Sequence, residues 1–93
     1  MPPEFDWDDA NVAHLAFHKV GPKEAEQAIL DPHGVLLEIQ TREDEERTKA
    51  VGMTATGRIL TVVFSLRGAA IRPITAYPAG NRLQELYLKR SGA

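Results

Sequence analysis

Glu46 and Arg47 stand side by side in the chain, a carboxylate next to a guanidinium. Such a pair can take a proton from a ribose 2′-hydroxyl and hold the adjoining phosphate, because carboxylates are bases and guanidinium groups bond phosphate oxygens in pairs. More cations follow. Lys49 comes two residues after Arg47; Arg58, Arg67 and Arg72 fall on or beside the strands of a central hairpin; Arg82 falls on the last helix. All are candidates for phosphate contacts, and arginine suits them best. Tyr77 can stack on a base or donate a hydrogen bond. Histidine is the side chain that titrates nearest neutral pH, so His18 competes with Tyr77 for the role of general acid.

Asn11, His14 and His18 share one stripe of a helix, at i, i+3 and i+7. Two histidines at i,i+4 have the spacing of zinc ligands, but Leu15 stands where the H-E-x-x-H pattern needs its glutamate, and no third ligand is set by spacing. These side chains are expected to bond nearby backbone instead, and no metal or other cofactor is expected. The sequence holds no P-loop, no G-x-G-x-x-G, no G-x-S-x-G and no cysteine, which disfavours nucleotide hydrolysis and the common nucleophilic hydrolases.

The elements that position these residues can be read in order. Asp8 can cap a helix over residues 9–18, and Val20-Gly21-Pro22 breaks it. Pro22 opens a second helix to about Leu30, stopped by Asp31-Pro32-His33-Gly34. Strands are expected over 35–41, 47–53, 59–66 and 70–77, with Glu43-Asp44-Glu45-Glu46 as an acidic turn and Arg67-Gly68 as a tight hairpin. Pro73 cannot donate to a ladder, which puts the last strand at an edge or on a bulge. A helix from about residue 81 carries Leu83, Leu86 and Tyr87 at helical spacing. Phe5 and Trp7 are expected to pack an N-terminal arm on the core. The expected fold is α+β: a four-stranded antiparallel meander with two N-terminal helices and one C-terminal helix, in the order ααββββα.

Ninety-three residues leave room for one hydrophobic core, so residues 1–93 are expected to form a single domain. An apolar fraction of 43% suits a folded chain. No apolar run is long enough to span a bilayer, and Met1-Pro2-Pro3-Glu4 lacks the basic and apolar regions of a signal peptide. A cytoplasmic protein without membrane contact is the expectation. The net charge of −2 hides an asymmetry: residues 1–46 hold three basic and twelve acidic side chains, residues 47–93 eight basic and only Glu85. A basic half can serve a polyanion even in an acidic protein; the other reading is that the two halves neutralise each other.

The order of motifs resembles the BrnT family over roughly residues 4–88. Phe5-Asp6-Trp7-Asp8 matches its F-x-W-D opening, and His18-Lys19-Val20 its H-x-V segment. Glu45-Glu46-Arg47 with Gly52 matches its E-E-R and following glycine. Gly57-Arg58 before an aliphatic strand, the Arg67-Gly68 hairpin, the Ile71–Ala76 strand and the closing Leu86-Tyr87 complete the pattern. The resemblance implies the toxin of a type II toxin–antitoxin pair, a RelE-like ribonuclease that cuts RNA without metal. It also implies a DNA-binding antitoxin that silences it, in a homodimer or a toxin–antitoxin heterotetramer. The chain departs from the family pattern at Tyr77, where arginine is common, at Thr48, where an aromatic is common, and at Lys19, in place of glycine. Two readings follow: a metal-independent endoribonuclease with Glu46 as base, or a non-catalytic module that only binds its partner.

Overall fold

Asp8 begins the first helix by accepting the N–H of Asn11 at 2.8 Å, which satisfies a donor that the helix itself leaves open. The computed structural model describes residues 3–91. Their elements are β1 (Glu4–Phe5), α1 (Asp9–Phe17), α2 (Pro22–Ile29), β2 (Val35–Arg42), β3 (Glu45–Met53), β4 (Ile59–Arg67), β5 (Ala70–Pro78) and α3 (Asn81–Ser91). Pro22 stands in the first turn of α2, and Glu24 accepts the Gly21 N–H at 3.1 Å.

The sheet has five strands in the order β1-β5-β4-β3-β2. The expected four-stranded, wholly antiparallel sheet and the order ααββββα are corrected on this point. Glu4 and Phe5 pair in parallel with Ala70 and Ile71, so the sheet is mixed. Two residues carry no alternation that a sequence pattern could register. The backbone alone makes the strand, and Asp6 N–H extends it with a 2.8 Å bond to Ile71 O. The N-terminal arm is thus part of the sheet; Trp7 continues from it and donates its indole N–H to Glu26 of α2 at 2.8 Å.

α1 and α2 cover one face. Leu15, Val20, Ala25 and Ala28 pack there against Leu60, Val62 and Ala76, all at most 3% exposed. α2 lies close on β3 because Gly52 is there: a Cβ at that position would sit 2.1 Å from the Ala28 carbonyl oxygen. α3 covers one end of the opposite face, where Tyr87 and Leu83 meet Val51, Met53 and Ile59. Asp31 ties that end together. Its carboxylate accepts the N–H groups of His33 and Met53, both at 2.9 Å, and the Tyr87 hydroxyl at 2.5 Å. Among the described residues no helix lies over the other end of this face, and the candidate site lies there.

Candidate functional site

The β2–β3 connection decides which side chains meet. It is a two-residue turn: Arg42 pairs with Glu45, and Glu43 and Asp44 between them have φ of 51° and 62°. Positive φ at both central residues is the condition of the tight hairpin turn that matches strand twist. The acidic run is therefore shorter as a turn than its composition suggests, and β3 starts at Glu45 instead of Arg47. Strand residues alternate between faces. Glu45, Arg47 and Lys49 fall on the uncovered face, and Glu46 and Thr48 on the other. Glu46 is exposed on the face opposite Arg47, and an acidic surface hollow at this end of the sheet is lined by Glu45 and Glu46 together with Glu43, Asp44, Thr48 and Leu66.

A bulge does the same for β5. Val63 pairs with Thr75 but Phe64 with Pro73, which leaves Ile74 as the extra residue. The extra residue shifts the parity of the strand, so Arg72 opposite Ser65 shares a face with Thr75 and Tyr77. Pro73 adjoins this bulge. Its carbonyl takes no bond from β1, which ends at Phe5; it accepts the Asn11 side-chain N–H at 2.6 Å. Asn11 thus docks α1 against the edge of β5.

Together these residues surround a cavity of about 310 Å³, lined among others by Gln40, Arg42, Arg47, Lys49, Thr75 and Tyr77. Beside it the guanidinium of Arg72, 13% exposed, bonds the Glu45 carboxylate, and Arg47 Nε lies 3.8 Å from the same oxygen. The nearby Ser65 hydroxyl, outside full hydrogen-bond geometry, acts first on the Glu45 carboxyl. Together with the Arg72 bond and the charges of Arg72 and Arg47, it holds that carboxyl below its ordinary pKa against a smaller opposing desolvation. The Arg72 hydrogen bond fixes the side chain, and Arg47 adds its charge from 3.8 Å. The buried polar atoms without a hydrogen-bond partner among the described residues are Arg47 Nε, Thr61 Oγ1, Ser65 Oγ, Arg72 Nε and Thr75 Oγ1. All five belong to residues of this one face. Two of the five are guanidinium Nε atoms, so the face that holds the cavity is lined with cationic donors.

At the rim His18, the residue that caps the C-terminus of α1, lies beside Tyr77 with ring centroids 5.8 Å apart. Phe17 and His14 each meet His18 edge to face, at 5.3 and 5.2 Å. Lys19 next to His18 has φ of 59°, a left-handed conformation that glycine adopts at lower cost. Among the described residues no group of three or more His, Asp or Glu side chains is placed to hold a metal.

The structure therefore brings Arg47, Lys49, Arg72 and Tyr77 together, with His18 at their edge. It places the other candidates elsewhere. Arg58 bonds both oxygens of Glu24, at 2.8 and 2.9 Å, and the Lys19 carbonyl at 3.1 Å, which fastens the β3–β4 turn to α2. Hydrogen bonds from the Gly21 N–H and from Arg58, with the Arg58 charge, lower the Glu24 pKa against desolvation. Arg67 lies 3.5 Å from Asp6 beside β1, and Arg82 is exposed on α3. Sequence reasoning missed Glu45, Ser65, Thr61 and Thr75. Glu45 had a signal, since it lies two residues before Arg47, but only a known turn length makes that spacing usable.

Fold and site define a small α+β protein with an arginine-rich, partly open sheet face. A family model described as "Ribonuclease toxin, BrnT, of type II toxin-antitoxin system" matches residues 7–82, and the chain belongs to this family. Membership implies an antitoxin partner. No curated protein matches the chain. No helix among the described residues is long and apolar enough to cross a membrane.

Proposed function

We propose that the open sheet face cleaves RNA by attack of a ribose 2′-hydroxyl on the adjacent phosphate. The observation that supports it is that Arg47, Lys49 and Tyr77 line one cavity, with Arg72 and the carboxylate of Glu45 beside it. Glu45, kept ionised by its neighbours, takes the 2′-hydroxyl proton. The O2′–P bond forms and the P–O5′ bond breaks, leaving a 2′,3′-cyclic phosphate and a 5′-hydroxyl. Arg47, Arg72 and Lys49 stabilise the charge that builds on the phosphate. Tyr77, with His18 beside it, gives a proton to the departing O5′. The cations are guanidinium and ammonium groups of the chain, so the reaction is proposed to run without metal.

On the same reading, residues 1–93 act as one domain in the cytoplasm, and the antitoxin is a DNA-binding repressor that assembles with the toxin into a heterotetramer. Expression should slow bacterial growth and degrade RNA, with EDTA without effect and cyclic-phosphate ends on the fragments. A chain that is harmless at high expression and inert on total RNA, yet binds its partner tightly, would replace this reading with that of a non-catalytic interaction module.

A further inference from the structure

Among the described residues Phe17 is the most exposed of the large apolar side chains, at 79%. It ends α1 on the side away from Leu15, so the core does not account for it. Its ring is not isolated. Phe17 meets His18 edge to face, and His18 lies against Tyr77, whose side chain lines the cationic cavity. The three rings form a row that leads from the cavity, past the edge of β5, to solvent. β1 pairs with β5 only as far as Ile71, so no strand among the described residues covers the edge along which the row runs.

Resting on the reading of this face as an RNA site, we propose that the row is a platform for an unpaired nucleobase, with Phe17 as its outer member. The substrate is then single-stranded RNA that crosses the edge of β5, its phosphate held by Arg47 and Arg72 and a neighbouring base stacked on Phe17, whose ring His18 props edge to face. The chemistry favours a base over other occupants. Aromatic rings accept the flat face of any base whatever its sequence, and the cations that would hold the adjoining phosphate lie at the inner end of the row. A base within a duplex is already stacked on both sides and cannot occupy it.

The test uses the full-length protein and a fluorescein-labelled 2′-O-methyl oligonucleotide, which carries the charge of RNA but no attacking hydroxyl. Phe17→Ala should weaken binding of the single strand by about 5- to 150-fold, the loss of one base–aromatic stack, with the salt dependence unchanged. Phe17→Trp should restore affinity, and its added indole fluorescence should be quenched by the single strand and not by the duplex. Arg47→Ala should instead reduce the salt slope, by about 0.7 for one phosphate contact on a single strand. Wild-type binding that Phe17→Ala leaves unchanged, while Arg47→Ala reduces the slope, would overturn the platform and leave the RNA site standing. A wild-type chain that binds neither strand would overturn both.

Discussion

Glu45 and Glu46 are chemically identical neighbours, and exchanging each for glutamine in turn separates the two faces of the sheet. Glu45 shares its face with Arg47, Arg72 and Ser65, whereas Glu46 lies exposed on the other. A positioned general base contributes roughly 10²- to 10⁴-fold, so Glu45→Gln should lower kcat for cleavage of labelled single-stranded RNA by about that factor. Glu46→Gln should stay within a factor of about two, the scale of a surface change near 0.5 kcal/mol. The pH profile adds a second readout. Ser65, Arg72 and Arg47 hold the Glu45 carboxyl below its ordinary value of 4.5, so the rate should fall only where acid protonates it below that value. Arg72→Met removes one of these groups, and the acid limb should move up toward 4.5 as the rate drops. An inactive Glu46→Gln beside an active Glu45→Gln would refute the assignment of faces, and an acid limb unmoved by Arg72→Met would refute Glu45 as the base.

Arg58→Met should leave cleavage unchanged but lower stability by up to about 1 kcal/mol, the range for a partly exposed ion pair, because this guanidinium fastens a turn to α2 through Glu24; urea denaturation beside the activity assay checks it. Burial raises the Tyr87 pKa to about 12, and its bond to the Asp31 carboxylate adds to the rise. Tyr87 thus contributes stability below the unfolded value of 10 that is lost as pH rises toward 12. Desolvation opposes the charged form of Asp31, but bonds from Tyr87, His33 and Met53, and the charge of His33, lower its pKa, so its contribution is lost on the acid side instead. Thermal melts of wild type between pH 9 and 12 should decline, with a smaller decline in Tyr87→Phe. Gly52→Ala should cost at least about 1–3 kcal/mol, since its Cβ would meet the Ala28 backbone oxygen at 2.1 Å and must push α2 off the sheet; an unchanged melting temperature would refute that contact.

The elements of this fold were legible where local chemistry sets them. Asp8, Pro22 and the Asp31–Gly34 stop bound the two N-terminal helices, and the apolar run at Ile59 announces β4. Family membership was legible too, because motif order and spacing survive without any knowledge of packing. β1 was not legible: two residues hold too little pattern, and their pairing partner lies more than sixty residues away in the chain. The role expected for Glu46 rested on its being adjacent to Arg47, and adjacency in a strand means opposite faces.

By itself the sequence determined which residue types are present for phosphate chemistry, that Arg47, Lys49 and Arg72 fall on strands, and that His18 ends a helix. Tertiary structure alone decided which of them share a face. One positive-φ turn at Glu43-Asp44 brought Glu45 into β3 in line with Arg47, and one extra residue at Ile74 turned Arg72 toward Thr75 and Tyr77. A strand's side chains have only two directions, so a single residue in a turn or bulge reverses every assignment beyond it. That residue is fixed by how the neighbouring strands close their ladders, which no local pattern records.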